Sequence, residues 1–267
     1  MTAITAGVAE RAPLISERMR YRLLGIISPI GLLLVWEILA RLNIIDTRFF
    51  PAPSAILTLG YSMLLSGQLI SNTLITLQRL LLGTIIGGVP ALLLGLVMGL
   101  NRTVRALVEP LVAATYPVPK SALLPLALLI FGLGEGSKIF MVALGVFFPV
   151  LINTTAGVLE ISSIYLDVGR NFKADRRRMF QTIALPGALP VIMTGFKLGI
   201  GIGLIMVSMA EMLGGADSGL GFMIWSAWQT FAVEQMYVGL FVIAIIGFLL
   251  TLLLDELESW LVPWKAK

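Results

Sequence analysis

Apolar runs of span length recur along this chain, and they do not alternate with polar positions. No other feature restricts the fold as much. A bilayer core offers no water to backbone N–H and C=O groups, so only helices and closed barrels can cross it. Runs without a two-residue period exclude the barrel. Composition agrees: 58% of residues are hydrophobic and only 13% charged, where a soluble domain carries about 25% charged. A helix needs roughly 20 apolar residues to span the hydrocarbon. Six segments qualify: 23–42, 75–100, 106–133, 138–159, 186–213 and 235–254. The expectation is an all-α, polytopic membrane protein with one transmembrane domain over 23–262, a polar tail over 1–22 and a short tail over 263–267.

Several chemistries lack their residues. The chain has no Cys and no His, which removes disulfides, thiolate metal sites and the commonest proton relay. No metal site, cofactor or catalytic set is expected. A chain that hydrolysed ATP itself would need G-x-x-x-x-G-K-[ST]. "GLGEGSKI" (Gly132–Ile139) has the order Gly-Ser-Lys instead and follows no strand, so it reads as a turn between the third and fourth spans. The N-terminal residues resemble a signal-peptide n-region, but the apolar run behind them is too long for a cleaved h-region and lacks a small-x-small site. It is read as a retained first span.

Basic residues collect on the cytoplasmic side of membrane proteins. With the N-terminus inside, that face carries Arg11, Arg18, Arg20, Arg22, Arg102, Arg105, Arg170, Lys173, Arg176, Arg177, Arg178, Lys265 and Lys267, against Arg41, Arg48 and Lys138 on the other. Both termini are therefore expected in the cytoplasm. On the opposite face, "DTRFFPAPS" (Asp46–Ser54) reads as an interfacial turn, followed by an amphipathic segment shorter than a span. "GGADSGLGFMIWSAWQTF" (Gly214–Phe231) reads as a turn and a short interfacial helix.

The interruption at about 160–185 is the most informative feature. Asp167, Arg170, Lys173, Asp175 and Arg176–Arg178 force it out of lipid, yet Ile161, Ile164, Val168 and Phe172, then Met179 and Ile183, recur at helical spacing. Two readings stand: a basic loop that packs on its own bundle, or a helix–turn–helix whose apolar face enters a partner's groove. Pro186 then suits the first turn of a new helix, and Pro190 suggests a kink.

The stretch "YLDVGRNFKADRRRMFQTIALPGALPVIMTGFKLG" (Tyr165–Gly199) resembles the coupling loop of binding-protein-dependent ABC importer permeases of type I. "FFPAPS", "YPVPKSALLPLALLIFGLGEGSKI", "FFPVLINTTAGV" and "AEMLGGADSGLGFMI" are similar to the nitrate, sulfonate, taurine and bicarbonate branch, and the likeness spans roughly 25–262. The resemblance implies a membrane subunit of an ATP-driven importer for a small anion. Its partners would be two cytoplasmic ATPase subunits, a second permease copy forming a homodimer, an extracytoplasmic solute-binding protein and membrane lipid, with no nucleic acid. ATPase coupling would fall on Asp167, Val168, Gly169, Arg170, Phe172, Lys173, Ala174, Arg176, Phe180, Leu185 and Pro186. Lys173 stands where the family has Gly. A Gly adopts φ > 0 freely, so Lys needs either another turn geometry or some strain.

Ionisable residues inside spans are costly and serve as candidates by default. Glu37 and Arg41 are spaced as a helical ion pair. Arg79 opens the second span and is expected to snorkel to the headgroups. Tyr116, Pro117, Pro119 and Lys120 break the third apolar segment. They either line a solute path or dip only to the inner interface. Lys197 either lines the path or pairs with a carboxylate, and Glu211 either contributes to an outer gate or caps a helix end. Gly195, Gly199 and Gly203 form a small-xxx-small stripe that suggests a packed dimer interface. A secondary active transporter is the alternative, but it would want membrane carboxylates and internal repeats.

Overall fold

A computed structural model describes residues 17–264, so the ends of both expected tails, 1–16 and 265–267, lie outside the described residues. The helices are α1 (Glu17–Arg41), α2 (Pro53–Leu65), α3 (Gln68–Leu100), α4 (Arg102–Thr115), α5 (Leu124–Phe131), α6 (Glu135–Leu159), α7 (Ser163–Asn171), α8 (Arg176–Arg178), α9 (Leu185–Leu213), α10 (Leu220–Gln229) and α11 (Val233–Leu261). Contacts divide the chain into two compact units, Met1–Leu57 and Thr58–Lys267.

In the first unit α1 occupies the place of the expected first span. Glu37 pairs with Arg41 at 2.5 Å and accepts hydrogen bonds from the Ser54 backbone N–H at 2.9 Å and hydroxyl at 2.8 Å. The expected i,i+4 pair is therefore present, and it also fixes the proline-flanked turn. In that turn Arg48 holds Asp46 at 2.8 Å, and this contact lowers the Asp46 pKa.

In the second unit four helices are long and apolar enough to cross a membrane: α3, α6, the continuous helix Met179–Leu213 and α11. The segment expected as one span over 106–133 differs. It is two helices, α4 and a Lys120–Phe131 piece, bent by 87°. Pro117 and Pro119 cannot donate the N–H groups a helix needs, so the chain turns through a 3-10 segment, Lys120–Leu123, before α5.

The core lies where α3, α6 and α9 pack along their lengths. Val142, Val146 and Val150 of α6 are fully buried. Backbones approach closely on both sides of α6. A Cβ on Gly87 of α3 would sit 2.3 Å from the Ala143 carbonyl oxygen, and one on Gly195 of α9 would sit 2.7 Å from Asn153 Cβ. Gly199 and Gly203 likewise face Val146. The small-xxx-small stripe is thus spent inside the chain, against α6, and not on the dimer interface expected of it.

Sequence reading also missed the junction at Leu185–Pro186. No break precedes Pro186. Residues Met179–Ala184 form a π-helix that runs straight into α9, with the Leu185 N–H bonded to the Phe180 carbonyl. The wider turn accommodates the proline, which has no N–H to continue an α-helical ladder.

Candidate functional site: an exposed loop and a buried charge cluster

The loop between α6 and α9 is built as a helix–turn–helix. The α7 helix ends in a complete Schellman motif. The Ala174 N–H donates to the Gly169 carbonyl and the Lys173 N–H to the Arg170 carbonyl, both at 2.9 Å. Lys173 occupies the left-handed position with φ +53°. Of the two outcomes open to a Lys there, the structure takes strain: the turn keeps the geometry a Gly would adopt. A left-handed non-Gly residue costs roughly 1–2 kcal/mol. Asp175 then caps the next turn, accepting from the Arg178 N–H at 2.7 Å.

The apolar residues of this loop do not form one face. Ile161 packs on the core cluster of Val158, Ala188 and Ile192, with Leu185 beside it. Met179 and Ile183 press on Gly169, where a Cβ would come within 2.7 Å of Ile183 Cδ1. Ile164, Tyr165, Val168 and Phe172 are left outside, and Phe172 is 84% exposed. Around them Asp167 pairs with Arg170 at 3.0 Å, while Lys173, Arg177 and Arg178 face solvent. Phe180 is half-buried, and Ala174 and Phe180 line a cavity of about 900 Å³ with Arg102, Arg105 and Arg170.

At the other end of α9 lies a buried cluster that sequence reading did not assemble. Arg79 does not reach for headgroups: it is 2% exposed. Its Nε and Nη2 donate to Glu135 at 2.7 and 2.6 Å. Its Nη1 donates to Glu211 and to the Ser218 carbonyl, both at 2.8 Å, and Nη2 reaches the Ser218 hydroxyl at 3.3 Å. These contacts use all five guanidinium donors. Glu211 also accepts from Thr76 at 2.9 Å and from the Gly221 N–H at 2.8 Å, while the Thr76 hydroxyl accepts from the Leu220 N–H at 2.9 Å. A carboxylate thus sits at the N-terminus of α10, where the helix dipole favours negative charge. Gly219, with φ +108°, leaves no alternative residue there, since a Cβ would lie 2.4 Å from the Glu211 carboxyl carbon. Lys138, counted among the positive charges of that face, is 2% exposed. It donates to the Leu133 and Gly134 carbonyls.

The remaining intramembrane cations are also engaged. Lys197 is ion-paired with Asp255 and Glu258 of α11, the carboxylate partnership left open by the sequence. Lys120 donates to the Thr115, Tyr116 and Val118 carbonyls and lies 4.3 Å from the centre of the Phe148 ring. It seals the broken end of α4, beside Tyr116, Pro117 and Pro119.

Residues 91–267 match the model of the binding-protein-dependent transport system inner membrane component family. The chain belongs to this family. The permease is 36% identical over 244 residues to the taurine transport system permease protein TauC of Escherichia coli, covering 88% of this chain and 87% of the relative. It is 30% identical over 241 residues to the putative aliphatic sulfonates transport permease protein SsuC of Bacillus subtilis, covering 90% and 87%. A bicarbonate transport system permease protein, CmpB of Synechococcus elongatus, is 30% identical over 263 residues, covering 93% and 92%. The permease is accordingly a multi-pass inner-membrane subunit, and the secondary-transporter alternative gains nothing from these comparisons.

Proposed function

We propose that this permease is the membrane subunit of an ATP-driven importer for a small anionic solute of the taurine, sulfonate, bicarbonate or nitrate type. Its energy comes from two cytoplasmic ATPase subunits that bind the 167–185 loop. The observation that carries this reading is Phe172, 84% exposed at the tip of a basic loop. An aromatic side chain with no cover and a charged rim is the anatomy of an interface anchor. Ile164, Tyr165 and Val168 extend the same outward face, and the charge bias of the sequence supports a cytoplasmic side for it and for both termini.

A capture protein delivers solute at the opposite end, near Phe49–Ser54 and Gly214–Gln229. A second copy of the chain completes the path, with Tyr116, Pro117, Pro119 and Lys120 at its middle. Lys197 and Glu211, held in ion pairs, brace the moving helices. Coupling runs through Asp167, Val168, Gly169, Arg170, Phe172, Lys173, Ala174, Arg176 and Phe180 into Leu185 and Pro186.

The test is reconstitution of the complete transporter in liposomes with Phe172→Ser. ATP-driven uptake of labelled taurine, alkanesulfonate, bicarbonate or nitrate should fall at least tenfold, roughly the loss of one anchor worth about 2 kcal/mol. Uptake that proceeds without the ATPase subunits, or that ignores this change, defeats the proposal.

A further inference from the structure

None of the residues of α4 is buried, yet its surface is sharply divided. Arg105, Glu109, Val112, Ala113 and then Tyr116 recur at helical spacing on one face. That face lines a cavity of about 300 Å³ against the 151–159 segment of α6. Leu107 and Leu111, on the opposite side, are 70% and 65% exposed. The helix therefore turns its ionisable residues into a groove and its leucines outward. Inside a membrane, ionisable residues turned into a cavity are candidates for a substrate path.

The groove does not end blindly. Arg105 and Leu159 also line the cavity of about 900 Å³ beside the loop, which adds Arg102 and Arg170. Neither Arg102 nor Arg105 has an ion pair among the described residues, so their charge is available to a passing ligand. Lys120 differs, because its ammonium hydrogens are taken by three carbonyls.

We infer that the α4–α6 groove is the inner half of the solute route, and that Arg105, at the junction of the two cavities, selects for anions. The inference rests on the importer reading above and deepens it by naming the residue that favours a small sulfonate or carbonate-type ion. Lys120 shapes the bend above, and Arg105 supplies the charge.

Because the chain has no Cys, single cysteines can report the groove directly. They are placed at Glu109, Val112, Leu107 and Leu111 in permeabilised membrane vesicles that contain the whole transporter. The probes are sulfonatoethyl and trimethylammonioethyl methanethiosulfonate, similar in size and opposite in charge. Glu109→Cys and Val112→Cys should react at least tenfold faster than Leu107→Cys and Leu111→Cys, and should favour the sulfonate. Adding Arg105→Gln to Val112→Cys should lower the sulfonate-to-ammonium rate ratio by at least about fivefold, and Arg105→Lys should preserve it. Unfolding would reveal itself by making the leucine positions reactive as well.

Equal reactivity on the two faces, or a ratio that ignores Arg105, overturns the inference. Absence of ATP-driven uptake would defeat the importer reading while leaving the labelling pattern intact, so the two failures are separable.

Discussion

The Arg79–Glu211 contact permits a quantitative test of whether the buried cluster acts as one unit. Glu211→Ala removes a carboxylate that accepts from Arg79, Thr76 and the Gly221 N–H. Arg79 keeps Glu135, whose side chain is 58% exposed, but loses the fully buried partner. Breaking one side of a buried pair costs about 3–5 kcal/mol, because the other charge stays without compensation. For a chain of this size that corresponds to a fall of about 10 °C in Tm. Arg79→Ala strands Glu211 and should cost a similar amount. The double variant should cost no more than either single change, since it strands neither charge. The coupling energy in the cycle should therefore be at least about 3 kcal/mol. Glu211→Gln, which still accepts from the Gly221 N–H, should fall between wild type and Glu211→Ala. The assay is thermal unfolding of the purified transporter, followed by tryptophan fluorescence. If the single losses simply add, within about 0.5 kcal/mol, the side chains act independently and the network argument fails.

Three further outcomes follow from the packing. Lys173→Gly should relieve the left-handed strain and slow hydrogen exchange at the Lys173 and Ala174 amide positions about threefold to fivefold, for a net gain near 0.7–1 kcal/mol after the entropy of Gly is deducted. Lys173→Ala should leave those rates unchanged within about twofold, and equal rates in the wild type and both variants would contradict the turn. Gly87→Ala should destabilise the bundle by about 1–3 kcal/mol through overpacking on Ala143, whereas Gly201→Ala, with nothing within 4 Å, should stabilise it by about 0.5–1 kcal/mol. Opposite shifts in Tm check this pair. Lys197→Met leaves Asp255 and Glu258 facing each other without their cation, and adding Asp255→Asn should recover much of the lost stability in the same melt.

Much of this architecture is written in local pattern. Apolar periodicity places the long helices, and Pro117 with Pro119 marks the bend between α4 and α5. The i,i+4 spacing of Glu37 and Arg41 announces their pair. What sequence could not supply was distance across the fold. Arg79 looks like a headgroup-seeking cation until Glu135 and Glu211, far along the chain, are brought to its two edges. Gly195, Gly199 and Gly203 advertise a close helix approach without naming the neighbour, and α6 takes that place. Arg105 passes for an ordinary positive-inside charge because its loop-like position hides the face it shares with Glu109 and Val112. Lys173 is the opposite case: its mismatch with the family was legible, and only the backbone could decide how the turn would respond.

The helix that begins at Met179 and ends at Leu213 has one extremity in the basic loop and the other at the Glu211 clasp on α10. At 1.5 Å per residue its α-helical part alone measures about 43 Å, with Pro190 inside it. Phe172 itself caps α7, across the turn at Lys173, and α7 meets this rod where Met179 and Ile183 press on Gly169. On the coupling reading proposed above, a shove at Phe172 passes through that contact before the rod carries it to the far clasp. The π-turn at its foot is a place where that stroke can be taken up, by a change in winding of a single residue.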